Sequence, residues 1–545
     1  RIALIISCTI FRAFFTEPEG VYMARLFEYQ GKMILASEKI TIPKSKVVSS
    51  PQDAAAAASE IGKPVVVKAQ TWTTGRASTG GIKFAYTPDE AAAAAAEILG
   101  KSIKGFIVEE VLVEEKLEIE SEFYVGMIID DSKASPVIIF SSKGGTGIEE
   151  IAKEFPDKVI RHTIDIREGL ASYRARNLIR KIGISGKLQL NLADFLVKFY
   201  NSARKYECRS AEINPLILTK SGDIIAADCH MTIDDYAVFR HPDLKIEIAR
   251  ELSSPPSELD RIAFNVEKND YRGTFYFIQL EKEWEKGKQY IGFHGAGGGG
   301  SMMSMDAVMA EGFTIANFCD TSGNPPASKV YRAAKIIMAQ GPIVGYFGSG
   351  SGVASQEQFH SARGLVKAFR ENWIKFPVVE RLGGNQEEKA IKILTEYTKD
   401  LPAPVECYGK DTSASYCAKR LRYLVDEAVI KDISIPDVIP HKSSYSFKTV
   451  TGGTVSYDYS KCLECKSKIC IEECQRKILS LEDGCPVLNI SKEDAEKGKC
   501  TECLACEVEC TFRGNGGGKI TLPIPGLEEY IARKAQNELQ RANSR

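Results

Sequence analysis

Eight cysteines near the C-terminus fall into two runs of four, Cys462-x2-Cys465-x4-Cys470-x3-Cys474 and Cys500-x2-Cys503-x2-Cys506-x3-Cys510. No other feature restricts the fold as much. At such short intervals a loop turns successive thiols towards one centre, a geometry that suits a cubane. Paired CxxC zinc sites are the alternative reading. Zinc would need only two close pairs per metal, whereas a four-cysteine run occurs twice, which favours iron–sulfur. The other seven cysteines, Cys8, Cys208, Cys229, Cys319, Cys407, Cys417 and Cys485, have no framework of spacings and suit a reducing cytoplasm. Cys485 sits between the runs, before Pro486, and reads as a buried thiol because eight ligands are already accounted for.

A chain of 545 residues has room for roughly three or four domains. Lys and Arg total 71 against 72 Asp and Glu, so no charge excess points to nucleic acid as a partner. No apolar run reaches the length of a membrane span. Residues 1–22 are apolar, begin without methionine and lack a small-residue cleavage site, while Met23-Ala-Arg-Leu-Phe-Glu-Tyr-Gln reads as a natural start. They are expected to be an extension outside the fold, with a signal peptide as the alternative.

Between Leu26 and Leu252 short β-branched runs alternate with Ala- and Glu-rich stretches. Ser50–Ile61 and Pro88–Leu99 read as helices, each opened by a Ser/Thr-Pro signal. Val65–Lys68, Phe106–Glu110, Phe123–Ile129 and Pro136–Phe140 read as strands. The Ser/Pro cluster at Ser253–Ser257 reads as a linker. A second α/β unit follows, with strands expected at Tyr290–Phe293, Thr314–Phe318, Ile343–Phe347, Val378–Val379 and Val405–Cys407. Several end in glycine-rich loops (295–300, 348–352, 383–384), where ligands of parallel sheets gather. A charged helix is expected at Gly526–Ala542.

The segment from Met23 to about Leu244 resembles the ATP-grasp portion of the succinate–CoA ligase β subunit. The matching residues run in order: Phe27-Glu-Tyr-Gln-Gly-Lys, Val66-Val-Lys68, Gly75-Arg76-Ala77 with Gly80-Gly81, Leu112-Val-Glu114 and Glu122-Phe-Tyr-Val-Gly126. Then come Gly144-Gly145-x-Gly-Ile-Glu149, Glu212-Ile-Asn214-Pro-Leu, Asp228 and Phe239-Arg-His-Pro-Asp-Leu244. Lys68 can place a point charge on nucleotide phosphates. The loop carrying Gly75, Arg76 and Ala77 can bring backbone N–H groups close to them. The resemblance implies Glu114 beside the adenine hinge, Glu122 on the ribose, Asn214 and Asp228 on magnesium, and Glu212 assisting phosphate transfer to or from ATP or GTP. The chain departs from the relatives after Asp228, where Cys229-His230-Met231-Thr232 replaces a glycine-rich stretch. His230 reads as a core filler or as a contact to a swinging phosphate carrier.

His294-Gly-Ala-Gly297, Ala316-Asn-Phe-x-Asp320, Phe347-Gly348 and Val378-Val-Glu-Arg381-Leu-Gly-Gly resemble the CoA-ligase domain of the same subunit. In the relatives a helix N-terminus faces a phosphohistidine from an α subunit. Here that helix is expected to start around 348–352. The stretch from Gly350 through His360 to Gly364 is closer to the citrate-binding helix of ATP-citrate lyase and citryl-CoA synthetase. The implied acid or phosphate site comprises His294, Gly348, Ser349, Gly350 and Ser351, with Arg381 as a bidentate carboxylate clamp. The acid is expected to be citrate-like rather than succinate. None of the six histidines (162, 230, 241, 294, 360, 441) sits in the relatives' phosphohistidine motif. A CoA-binding α subunit is therefore the expected partner, supplying that histidine and the site for CoA.

The cysteine runs resemble those of two-cluster ferredoxins, in which the fourth cysteine of each run serves the other cluster. The resemblance implies Cys462, Cys465, Cys470 and Cys510 on one 4Fe–4S centre, and Cys500, Cys503, Cys506 and Cys474 on the other. The first run has two residues more than the usual spacing. The whole chain is expected to be α/β: an ATP-grasp domain at 23–255, a linker at 256–285 and a flavodoxin-like CoA-ligase domain at 286–430. A second linker at 431–455, a small α+β ferredoxin domain at 456–520 and a C-terminal helix at 521–545 complete it. The expected activity is that of an NDP-forming acid–thiol ligase. The alternative is an electron-transfer subunit serving an acyl-CoA reductase or a 2-oxoacid oxidoreductase.

Overall fold

The computed structural model describes residues 23–543 except 74, 146–147, 247–255, 271, 273, 351, 353, 428 and 437–439. The expected extension 1–22, most of the Ser253–Ser257 linker and Ser351 lie outside the described residues. The chain divides between Pro255 and Pro256 into two compact units.

In the first unit a four-stranded antiparallel sheet runs in the order Ser45–Val48, Val111–Glu115, Val65–Ala69, Ile82–Ala85. The alanine-rich helices Pro51–Ile61 and Pro88–Ile98 pack on it around a core of Val67, Ala57, Ala95 and Val113. Both begin as their sequences dictate, since Ser50 and Thr87 accept from the backbone N–H three residues on and proline occupies the first helical position. A seven-stranded antiparallel sheet among the described residues follows Met23–Arg25, His230–Asp234, Cys208–Thr219, Ile119–Asp130, Ser135–Ser141 and Val159–Thr163, with Ile224–Ala226 alongside Cys208–Thr219. The helix Gly186–Lys205 buries Leu192, Leu196 and Phe199 against it. The strand expected at Phe106–Glu110 is displaced: Phe106–Ile107 forms a two-residue pair, and the sheet strand is Val111–Glu115.

The second unit is built on a sheet in the order Tyr276–Gln279, Asn317–Asp320, Tyr290–Ala296, Ile343–Gly350, Val378–Arg381, Val405–Tyr408. All neighbours are parallel except the antiparallel edge Tyr276–Gln279. Helices Ala327–Ala339, Phe359–Asn372 and Glu387–Thr398 share one core with this sheet, while Gly298–Ala310 and Ala414–Glu427 belong to another. Residues 256–285 were expected to be a linker but contain the helix Glu258–Asn269 and the edge strand. Ser257 caps that helix reciprocally with Asp260, and Asp260 also accepts from Gln279 N–H at 2.7 Å. The strand expected over Thr314–Phe318 is two short ones, Thr314–Ile315 and Asn317–Asp320.

The cysteine-rich segment folds on the same unit. Tyr445–Lys448, Thr454–Tyr457 and Gly518–Thr521 form a three-stranded sheet, so ordered structure begins inside the expected linker 431–455. Leu479–Glu482 and Cys485–Leu488 pair as a hairpin between the runs. One apolar cluster includes Leu259, Val330 and Phe369 of the α/β part together with Val455, Leu504 and Leu522. The terminal helix Leu527–Asn543 returns to the α/β part, where Lys534 donates to the carbonyls of Ala339 and Gln340 and Arg533 pairs with Glu258.

Candidate functional site

Lys68 sits near the end of the buried strand Val65–Ala69 with only 8% of its surface exposed. An ammonium ion so placed must be paired. Its Nζ donates to Glu28 Oε1 at 3.0 Å and to the Ala227 carbonyl at 2.7 Å, and lies 2.7 Å from Glu114 Oε1. Arg76 turns inward from the exposed loop that carries Gly75 and Ala77. It donates to the Ala69 carbonyl and to Asp228 Oδ1, both at 3.0 Å, and lies 2.7 Å from Glu28 Oε2. Lys32 bonds Glu28 at 2.7 Å, the Ala227 carbonyl at 2.9 Å and Glu114. Three cations therefore balance three carboxylates.

Burial alone would raise the Glu28 carboxyl, but Lys32 and Lys68 outweigh it and hold it at about 2. Burial likewise opposes the charge on Lys68, and Glu114 and Glu28 raise its pKa regardless. His230 Nε2 lies 3.5 Å from Asp228 Oδ2, and that carboxylate overcomes burial to raise the imidazole's pKa. The structure thus gathers four expected residues, Lys68, Arg76, Glu114 and Asp228. Glu28 and Lys32 belong with them, although sequence reasoning gave neither a role. Both stand in the Phe27–Lys32 motif, but that motif assigned them no task, and their spacing of four on the helix Glu28–Ser37 is shared by ordinary surface pairs.

A second group surrounds Gly145. Asn214 Oδ1 accepts from Gly145 N–H at 2.8 Å. A Cβ at Gly145 would come 2.5 Å from Glu122 Oε2, so glycine lets the loop lie against that carboxylate. Glu212 stands on the same strand as Asn214, opposite His230 in register. Asn214 and Asp228 offer the hard oxygen donors that magnesium takes. Among the described residues no group of three or more His, Cys, Asp or Glu is placed to hold a metal ion.

In the second unit, neighbouring strands bring His294 beside Gly348, and Ser349 beside Arg381. His294 is buried between the Tyr346 hydroxyl at 2.7 Å and Thr321 Oγ1 at 3.1 Å. Burial pushes its pKa down to about 4, so it is a neutral wedge at pH 7. Ser349 Oγ lies 2.8 Å from Ser304 Oγ. A side chain at Gly348 would overlap the carboxyl of Glu380, which is 2% exposed and whose Oε1 has no partner among the described residues.

Two expectations are corrected here. Arg381 is not free to clamp a carboxylate, because it donates to the carbonyls of Thr412 at 2.6 Å, Gly350 at 2.9 Å and Lys410 at 2.9 Å. Its fork closes the end of the loop around Gly350. The helix expected to start at 348–352 begins instead at Phe359, because the strand Ile343–Gly350 takes up residues 348–350.

Cys462, Cys465, Cys470 and Cys510 line one cavity, together with Tyr457, Lys461, Lys468, Pro486 and Gly517. Cys474, Cys500, Cys503 and Cys506 line a second, walled by Phe447, Ile478, Leu479, Leu504 and Ile520. Each cavity therefore receives its fourth cysteine from the other run. Burial raises the thiols of Cys474 and Cys506, whereas at Cys465 hydrogen bonds from Ser467 and nearby backbone N–H groups outweigh burial and lower the thiol pKa. Cys485 is buried and lines neither cavity.

Residues 25–218 match the family model of the ATP-grasp domain, and residues 285–421 match that of the ATP citrate lyase citrate-binding domain. The GDP-forming succinate–CoA ligase β subunit of Thermus thermophilus is 38% identical over 373 residues, 68% of this chain and 93% of that protein. The ADP-forming β subunit of Ignicoccus hospitalis is 35% identical over 375 residues, again 68% and 93%. Among solved structures, ATP citrate lyase from Methanothrix soehngenii in complex with citrate and coenzyme A superposes with a TM-score of 0.62 at 20% identity, over 74% of this chain and all of that one. That likeness shows a shared fold. No helix among the described residues is long and apolar enough to cross a membrane. The identity and coverage of these relatives establish that the chain belongs to the succinate–CoA ligase β-subunit family of ATP-grasp acid–thiol ligases.

Proposed function

We propose that this chain is the nucleotide-binding subunit of an NDP-forming acid–CoA ligase for a citrate-like polycarboxylate, carrying a C-terminal module for two 4Fe–4S clusters. The observation that carries the reading is the tandem match of 25–218 to an ATP-grasp domain and 285–421 to a citrate-binding domain in one chain. Lys68, Arg76 and the backbone of Gly75 and Ala77 would meet the phosphates of ATP or GTP, with Glu114 at the base hinge and Glu122 at the ribose. Asn214 and Asp228 would hold magnesium, which neutralises phosphate charge when bound, and Glu212 would assist phosphoryl transfer. For Asp228 this requires exchanging its bond to Arg76, which the arriving phosphates favour by taking the guanidinium.

The acid would sit beyond Gly348, Ser349 and Gly350. There His294 shapes the floor as a neutral group and Arg381 braces the loop. A CoA-binding α-type subunit would supply the phosphohistidine. Net, ATP, acid and CoA would give ADP, phosphate and acyl-CoA. The cysteine quartets fit two cubanes because each lines its own cavity, and the compartment would be a reducing one such as the cytoplasm. The same quartets favour a second reading, an electron-transfer subunit docked to an acyl-CoA reductase or 2-oxoacid oxidoreductase.

The test is anaerobic co-expression with an α-type subunit, followed by assay of ADP, phosphate and acyl-CoA with citrate and with succinate. Citrate-dependent turnover well above succinate supports the ligase reading. Bound iron and nucleotide with no acid-dependent turnover would overturn it in favour of electron transfer.

A further inference from the structure

Four carboxylates of the cysteine module face the α/β part of the same unit, and each is the chain neighbour of a candidate cluster ligand. They are Glu473 before Cys474, Glu502 before Cys503, Glu507 after Cys506 and Glu509 before Cys510. Arg363, 1% exposed, donates to Glu473 at 2.6 Å and to Glu509 at 2.8 and 3.0 Å. Lys367 donates to Glu507 at 2.8 Å, Arg272 to Glu502 at 3.0 Å and the Tyr397 hydroxyl to Glu509 at 2.8 Å. Adjacent Cα atoms are fixed about 3.8 Å apart, so whatever holds a cysteine in place also holds the carboxylate beside it. Where a cysteine loop opens, a cation on the α/β side loses one of its carboxylates, which is unfavourable for a buried charge.

One of these contacts leads straight to the candidate acid site. Glu473 also binds Lys389 at 3.1 Å and Arg513 at 3.1 Å. Arg363 and Lys389 lie 4.8 and 4.6 Å from the centre of the Phe359 ring. Phe359 is the first residue of the helix that follows the Gly350 loop. Just before it, Gln358 N–H donates to the Asn385 carbonyl at 2.8 Å and Ala354 bridges Gly384. Removing the carboxylate beside Cys474 would strip Lys389 of its carboxylate and leave it beside Arg363, which keeps Glu509, at the aromatic root of this segment.

We propose that cluster occupancy of the cysteine module sets the order of residues 354–360 through Glu473, Arg363, Lys389 and Phe359, so that the acid binds well only when the clusters are in place. The inference rests on the cluster and acid readings above. It is tested by hydrogen exchange on the full chain with its α-type partner under anaerobic conditions. Iron content and citrate affinity are measured on the same samples.

Stripping iron with a chelator is expected to speed exchange of residues 354–360 by about tenfold or more and to weaken citrate binding about tenfold, the effect of one lost interaction of ordinary strength. The strand Tyr290–Ala296 stays protected, which shows that the unit remains folded. Glu473→Gln keeps every cysteine and is expected to reproduce the fast exchange and weak binding at full iron content. Equal exchange in loaded and stripped protein, or unchanged exchange in Glu473→Gln, overturns the proposal. Absence of iron from every preparation overturns the cluster reading and this inference with it. Coupled exchange without any citrate binding overturns the acid reading and the ligand half of the inference.

Discussion

Lys32 reads in sequence as one more helical lysine, yet it is 1% exposed and lies against Glu28, Glu114 and the Ala227 carbonyl. Lys32→Met would leave Glu114 on Lys68 and Glu28 on Lys68 and Arg76, and breaking a buried pair typically costs about 3–5 kcal/mol. We expect a loss of that size in urea unfolding of the first unit, with nucleotide affinity falling as well because Lys68 is drawn further into the carboxylates. Unchanged stability would mean that the carboxylates find other partners. Gly348 poses a separate test, since a side chain there overlaps the buried Glu380 carboxyl. Gly348→Ala should destabilise the second unit by about 1–3 kcal/mol. In a Glu380→Ala background most of that penalty should vanish, and a double-mutant cycle in urea measures the coupling. Lys68, Arg76, Glu114 and Asp228 were legible because their motifs recur in order along the chain. Glu28 and Lys32 also fall in a recurring motif, but their role was not legible, because a Glu-Lys pair four apart looks the same on an exposed face as on a buried one. The inward turn of Arg381 was illegible for a similar reason: a guanidinium suits backbone carbonyls as well as a substrate carboxylate.

Helices and strands whose ends are decided locally could be read directly, and those decided by distant partners could not. Ser50-Pro51 and Thr87-Pro88 start helices because cap and proline act within one turn. The edge strand Tyr276–Gln279 exists only because Asn317–Asp320 accepts it, and a lysine- and glutamate-rich sequence on either side reads as a linker until that pairing is seen. Two elements of the second unit also carry a pH signature. His294 on the strand Tyr290–Ala296 and His360 on the helix Phe359–Asn372 are each pushed by burial from 6.5 to about 4. Between those values the unfolded chain binds protons that the folded chain does not, so the stability these sites contribute is whole above about pH 6.5 and is lost as pH falls towards 4. The loss should be on the order of 1–3 kcal/mol per histidine. Urea midpoints between pH 7.5 and 4.5 should fall accordingly, and His294→Gln should flatten the dependence. A profile that stays flat in the unaltered chain would show that both imidazoles titrate normally.

At the scale of the molecule, cysteine spacing pointed to two sets of four thiols, but nothing in it indicated that the two sets would be walled differently. That difference arises from packing. The cavity of Cys474, Cys500, Cys503 and Cys506 is walled by Phe447, Ile478, Leu479, Leu504 and Ile520, most of them members of the large core cluster. Phe512, two residues after Cys510, stacks on Tyr397 of the α/β part with ring centres 4.0 Å apart. The cavity of Cys462, Cys465, Cys470 and Cys510 instead has Lys461, Lys468 and Gly517 in its wall; solvent reaches Cys465 there, as it reaches Cys500, Cys503 and Cys506 in the other. Its neighbour Leu463 is 62% exposed. Attack by a chelator or by oxygen needs the wall to open, and a wall with fewer apolar core contacts opens more readily. Iron release from the loaded chain should therefore be biphasic, with about half of the iron, that of two equal cubanes, leaving in the fast phase. Cys465→Ala should abolish the fast phase and leave the slow one. Cys506→Ala should remove the slow phase while nucleotide binding by the first unit persists. Release followed by visible absorbance and by iron assay in parallel decides it. A single phase would mean that the two sites open alike, and a fast phase that survives Cys465→Ala and disappears in Cys506→Ala would mean that the apolar-walled site opens first; either outcome overturns the packing argument.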